Sequence, residues 1–129
     1  MSIIRVAIAE DHPEMRVALR LLLRLANDME IVGEAANGQE AVDCVKQLQP
    51  DVLVMDIQMP VLDGWAATRQ LLALGLPTHV ILISLNRGRY IASKAAELGA
   101  RGFLSKDYLP TSLLPAIRAV YQGGKFFEE

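Results

Sequence analysis

Along this chain apolar positions switch between a period of two and a period of about 3.6, and the switching alternates strand with helix five times. Short β-branched or apolar runs at 3–9, 30–35, 52–56, 79–84 and 102–105 are too short for buried helices and predict strands. Met15, Leu19, Leu22, Leu23 and Ala26 recur at helical spacing after the first run, and Ala41, Val45 and Leu48 do so after the second. Asn37-Gly38 opens that second helix and Pro50 ends it, while Asp63-Gly64 caps a third helix that runs through Leu74 to Gly75 and Pro77. Residues 87–98 carry the stripe Ile91, Ala95 and Leu98 but also Gly88 and Ser93, which predicts a weaker, loosely packed helix stopped by Gly99. The last helix carries Leu113, Leu114, Ile117, Val120 and Tyr121 and stops at Gly123-Gly124. Pro115 leaves its start open: either Ser112 caps it and Pro115 lies in the first turn, or it begins near Pro110 with the hydrogen bond to Thr111 lost.

Buried strands alternating with helices predict an α/β fold with a parallel sheet covered on both faces. Right-handed crossovers then bring the C-terminal ends of all strands to one edge, where such folds bind ligands. The polar residues that end the strands are Glu10-Asp11, Asp56, Ser84 and Lys106, so the topology gathers them at that edge. Three crowded carboxylates repel one another unless a cation sits between them, and hard oxygen ligands with room for water suit Mg²⁺. The backbone carbonyl of Gln58 could supply a further oxygen. A metal held this way also neutralises an incoming phosphoryl group, and a carboxylate can accept it. Lys106 offers a point charge to the phosphoryl oxygens and Ser84 a hydroxyl donor. The bland alternative is a set of unrelated turn-forming and surface charges.

Composition narrows the choice of partner. A chain of 129 residues builds one domain, and a formal net charge of -2 exerts no global attraction on nucleic acid or anionic lipid. Cys44 is the sole cysteine, which excludes a disulfide framework or a cysteine-rich zinc site; helix packing and a reducing, cytoplasmic setting are expected. The apolar run 3–9 is broken by Arg5 and 19–25 by Arg20 and Arg24, so neither reads as a signal peptide or a membrane span. His12 and His79 lack metal-ligand spacing and are read as loop lining and a strand start; Trp65 is read as partial core.

Over residues 3–122 the chain resembles the response-regulator receiver domains of bacterial two-component signalling. The resemblance rests on Met55-Asp56-Ile57-Gln58-Met59-Pro60 followed by Asp63-Gly64, together with Glu10-Asp11, Ser84 and Lys106. It implies a flavodoxin-like, doubly wound five-stranded (βα)5 sheet of order 2-1-3-4-5. It also implies that Glu10 and Asp11 bind Mg²⁺, that Asp56 is phosphorylated by a sensor histidine kinase, and that Lys106 contacts the phosphoryl group. Ser84 is then the switch hydroxyl, which on moving vacates space for the aromatic switch residue Phe103. By the same analogy the kinase docks on the acid-proline loop and the exposed face of the first helix. The pattern Gly-Phe-Leu-Ser-Lys-Asp at 102–107 and the ending Ala-Ile-Arg-Ala-Val-Tyr-Gln-Gly-Gly resemble the NarL/FixJ branch. That branch implies a receiver over 1–122, a linker beginning in 123–129, DNA contact only through a LuxR-type domain beyond this chain, and homodimerisation on phosphorylation, although no exposed apolar stripe marks a face for it.

Two departures bear on the chemistry. Asp107 follows Lys106 where many receivers have a cis-proline, and Leu85 follows Ser84 where a small residue is common. Leu85 is expected beside the path into Asp56, bordered by Gln58 and Asn86. Among rivals, an aspartyl-phosphate phosphatase would need a second carboxylate two residues after the nucleophile, where Gln58 stands. A dinucleotide-binding domain would need a glycine-rich first turn, which is absent. A phosphorylation-independent protein-binding module of receiver type is the other alternative.

Overall fold

The computed structural model describes residues 2–129. In it β1 (Ile4–Ala9), α1 (Pro13–Arg24), β2 (Met29–Ala35), α2 (Gly38–Leu48), β3 (Val52–Asp56) and α3 (Gly64–Leu74) form the first half. The second half is β4 (His79–Ser84), α4 (Arg89–Glu97), β5 (Gly102–Ser105), α5 (Leu109–Tyr121) and β6 (Phe126–Phe127). The sheet is parallel throughout, in the order β2-β1-β3-β4-β5-β6.

Alternation along the buried strands sorts the core into two layers. Val6, Ile8, Val54, Ile81, Ile83 and Leu104 face Leu19 and Leu23 of α1 and Leu113, Ile117 and Val120 of α5. Ala7, Leu53, Met55, Leu82 and Phe103 face the other way, onto Val42 and Val45 of α2, Leu71 of α3 and the small residues Ala92 and Ala95 of α4. The central strand β3 is buried along its whole length, which fixes its register and with it the position of Asp56.

Caps place the helix starts. Asn37 accepts from the Glu40 N–H, and Asp63 from the Ala66 N–H at 2.8 Å. Gly88, at φ 136, opens α4 with no side-chain cap, in keeping with the weaker helix expected there. Pro115 lies inside α5, which starts at Leu109 with Pro110 in its first turn, so the second of the two expected starts is the one adopted.

The sheet has six strands where the sequence pattern predicts five, and residues assigned to a linker supply the sixth. After the turn at Gly123, Phe126 and Phe127 pair with Gly102 and Phe103. The tail is anchored by Glu128: the Ser105 N–H donates to its Oε1 at 2.9 Å, and the Ser112 hydroxyl donates to Oε2. Two residues are too few for a periodicity to register in the sequence.

Candidate functional site

The ends of β1, β3, β4 and β5 converge as the topology requires. Glu10 follows β1 and is fully buried; Asp56 ends β3 and Ser84 ends β4, each 3% exposed. Lys106 follows β5, and its ammonium bridges the two carboxylates, 2.6 Å from Glu10 Oε1 and 3.1 Å from Asp56 Oδ2. Asp56 Oδ1 accepts from the Gln58 N–H at 3.3 Å. Gly64 seats this loop from below. Its N–H donates to Ile57 O at 2.7 Å, and a Cβ at that position would stand 2.5 Å from Asp56 O.

Charges at this density perturb one another. Burial works to raise the Glu10 carboxyl, but the hydrogen bond from Lys106 and the N–H of His12 hold it below its ordinary value. Asp56 moves the other way: burial, reinforced by the negative Glu10, raises its carboxyl in spite of Lys106. Burial alone would lower Lys106, yet its two carboxylate partners raise it, so it stays a cation.

One atom in this cluster is left over. Asp11 Oδ1 is buried and makes no hydrogen bond; the imidazole Nδ1 of His12 lies 3.3 Å away but without hydrogen-bond alignment. Oxygens of Glu10, Asp11 and Asp56 and a nitrogen of His12 all lie within 4.8 Å of one another. An unpartnered buried carboxylate oxygen among acidic neighbours is costly, and a hard divalent cation would satisfy it. The cluster therefore fits a metal ion, and His12, read from the sequence only as loop lining, stands at its rim.

The site opens into a cavity of about 780 Å³ lined by Asp11, His12, Gln58, Ser84 and Asn86 and continuing to Trp65 and Lys94. Asn86 caps the end of β4 by donating its N–H to Ser84 Oγ at 3.0 Å. Leu85 does not border the cavity. It is 65% exposed and points away, because consecutive residues at a strand end project to opposite sides and Ser84 takes the inward place. Phe103, the expected aromatic switch residue, is fully buried in the core layer that faces α2, α3 and α4.

The structure adds two features that were not read from the sequence. Val17 and Leu21 of α1 and Leu25, the residue at its C-cap, lie at i, i+4 and i+8 and are exposed by 43%, 57% and 74%, an apolar stripe opposite the buried Leu19 and Leu23. The interspersed Arg20 and Arg24 mask it in the sequence. Over the cavity, the Lys94 ammonium sits 4.5 Å from the centroid of the Trp65 ring; residues from α3 and α4 give no sign in sequence that they meet. Among the described residues no helix is long and apolar enough to cross a membrane.

The response regulator receiver domain model matches residues 6–118. The transcriptional regulatory protein DesR of Bacillus subtilis is 41% identical over 124 residues, 96% of this chain and 61% of DesR. Protein CcdB of the same organism is 40% identical over 116 residues, 90% of this chain and 96% of CcdB. The chain thus spans about three fifths of the length of DesR and nearly all of CcdB. Among solved structures, the signal receiver domain of the putative response regulator NarL from Mycobacterium tuberculosis superposes with a TM-score of 0.90 at 34% identity, covering 95% of this chain and 99% of that one.

Proposed function

Since the chain belongs to the response regulator receiver domain family, we propose that Asp56 accepts a phosphoryl group in a Mg²⁺-dependent transfer and that the domain switches an output accordingly. The observation that carries this reading is the position of Asp56, which ends the fully buried central strand 3.1 Å from the Lys106 ammonium, in one cluster with Glu10 and Asp11.

Burial strips water from the Asp56 carboxylate and raises its energy as an anion, which leaves its oxygens less solvated and more reactive toward phosphorus. One oxygen of Asp56 attacks phosphorus, the bond to the donor's leaving atom breaks, and its electron pair departs with that atom. Lys106, held cationic, can turn from the Asp56 carboxylate to a phosphoryl oxygen without leaving Glu10. The Ser84 hydroxyl, at the cavity wall, is the donor available to a second phosphoryl oxygen. Glu10, Asp11, Asp56 and the Gln58 carbonyl would hold Mg²⁺, which supplies charge neutralisation for the phosphoryl oxygens when bound. Gln58 offers no carboxylate to activate water, so the domain is an acceptor and not a turnover phosphatase.

The donor partner is a sensor histidine kinase, and the exposed stripe Val17, Leu21 and Leu25 along α1, the helix that follows the site loop, gives it an apolar docking face. The output is transcription, through a DNA-binding domain distinct from this receiver; DesR is a transcriptional regulatory protein of which the chain matches only part. Incubation with acetyl phosphate and Mg²⁺, followed by intact mass, should add one phosphoryl group. Equal loading of Asp56→Asn would overturn the assignment of the acceptor.

A further inference from the structure

The acid cluster holds one group that the acceptor chemistry set out above does not use. His12 follows Glu10 and Asp11 in the loop after β1, and its ring turns back onto both: Nδ1 lies 3.2 Å from Glu10 Oε2 and 3.3 Å from Asp11 Oδ1. A single ring N–H cannot donate to both acids, and Asp11 Oδ1 is left buried without a hydrogen bond. Nor does the helix that follows need the ring, since His12 is the N-cap residue of α1 and its side chain caps nothing. The same separations fit a metal. With bonds of about 2.1 Å, neighbouring ligands of an octahedral ion stand about 3.0 Å apart, close to both distances. Asp56 offers an oxygen to the cluster, whose four ligand atoms all lie within 4.8 Å of one another.

We propose that His12 is a further ligand of the metal site, its Nδ1 joining oxygens of Glu10 and Asp11, and that this nitrogen raises the site's preference for a first-row transition dication over Mg²⁺. The inference rests on the reading of the acid cluster as a metal site. Coordination uses the Nδ1 lone pair, so the ring proton sits on Nε2; the side chain is 71% exposed, and solvent can accept from that N–H. A cation bound in this way meets Asp11 Oδ1 and the imidazole together, which a hydrogen bond from His12 to one acid cannot do. Imidazole suits ions such as Ni²⁺ and Zn²⁺, whereas carboxylates and water suit Mg²⁺, and the affinity of a given site rises from Mn²⁺ to Ni²⁺. Mg²⁺ dehydrates reluctantly and keeps several waters, so at the exposed rim of the cluster it gains little by exchanging one for the ring. His79, the other histidine, starts β4 at the opposite end of the strands and cannot reach the site.

The test reads metal binding and not phosphorylation. Affinities of the full, untagged chain for Mg²⁺, Mn²⁺ and Ni²⁺ are measured by calorimetry for wild type and His12→Ala, with melting temperatures in metal-free buffer to show that the variant is folded. His12→Ala should weaken Ni²⁺ about tenfold, the lower end of what even an indirect partner of a ligand is worth at a metal site. Mg²⁺ should weaken by less than about twofold, since a water takes the place of the ring. Electron spin echo spectra of the Mn²⁺ complex should show the coupling of a directly bonded imidazole nitrogen, which changes when histidine is labelled with the heavier nitrogen isotope and is missing in His12→Ala. The labelled wild type gives this answer without any variant. Equal losses for Mg²⁺ and Ni²⁺, or a Mn²⁺ spectrum without the nitrogen coupling, would overturn His12 as a ligand while the acids remain the metal site. Failure of wild type to bind any of the three ions would overturn the metal site and the role of His12 together.

Discussion

Lys106 and Glu10 make the tightest charged contact of the site, Nζ to Oε1 at 2.6 Å, with both side chains almost wholly removed from solvent. A buried ion pair of this kind contributes little net stability, but removing one partner strands the other. Lys106→Met should therefore cost about 3 kcal/mol in metal-free buffer, because Glu10 and Asp56 are left facing each other without a cation. A divalent cation would neutralise the same acids, so MgCl₂ should raise the melting temperature of Lys106→Met by more than that of wild type. Equal gains in the two proteins would mean that the ammonium and the metal do not serve the same carboxylates.

Gly64 joins the helix cap to the acceptor. A Cβ there would stand 2.5 Å from Asp56 O and 2.8 Å from Ile57 Cα, both backbone atoms that cannot turn aside. Gly64→Ala should destabilise the fold by about 2 kcal/mol and displace the end of β3. Acetyl-phosphate loading should fall by a larger factor than the small fraction of unfolded protein explains. Loading at the wild-type rate in a destabilised variant would show that the acceptor does not depend on this contact.

Leu21 is the centre of the exposed stripe on α1, at 57% exposure. Leu21→Glu should weaken transfer from the cognate kinase about tenfold or more, since it places a charge in the middle of an apolar contact, while stability changes by less than about 0.5 kcal/mol. Loading from acetyl phosphate should be unaffected, because the small donor needs no docking face. Loss of both activities would point to a disturbed site instead.

Glu128 ties the C-terminal strand to Ser105 and Ser112. Glu128→Ala leaves the Ser105 N–H and the Ser112 hydroxyl without these acceptors and should cost about 1–2 kcal/mol. Hydrogen exchange at Phe126 and Glu128, whose N–H groups donate to Arg101 O and Phe103 O, should accelerate far more than exchange in β3. Uniform acceleration over the sheet would mean that the tail is not a separate unit.

Glu34 accepts two hydrogen bonds from Arg20, at 2.8 and 2.7 Å, which hold its carboxyl below the usual value against a smaller effect of burial. A depressed carboxyl adds stability above its unfolded pKa and loses it as pH falls through the folded value. Both side chains are about 30% exposed, so the contribution is below about 1 kcal/mol. Glu34→Gln should lower the melting temperature slightly at neutral pH, and the gap to wild type should close as the solution is acidified below pH 4; a constant gap would assign the effect to packing.

How far the sequence reached can be seen in particular residues. The strand ends Glu10, Asp56, Ser84 and Lys106 could be gathered at one edge from sequence because apolar runs mark buried strands and parallel crossovers have one hand. Asp63 could be read as a cap and Asn37-Gly38 as the opening of a helix because their bonds are local. What the sequence could not carry is which way a side chain turns once its neighbours are packed. Leu85 follows Ser84 and was expected at the site, yet the pleat sends it to solvent. The Lys94–Trp65 contact and the return of Phe126 and Phe127 to β5 join residues of different helices or distant strands. Such contacts leave no periodicity in the chain, because they are decided by the distance between packed elements and not by the order of residues within one.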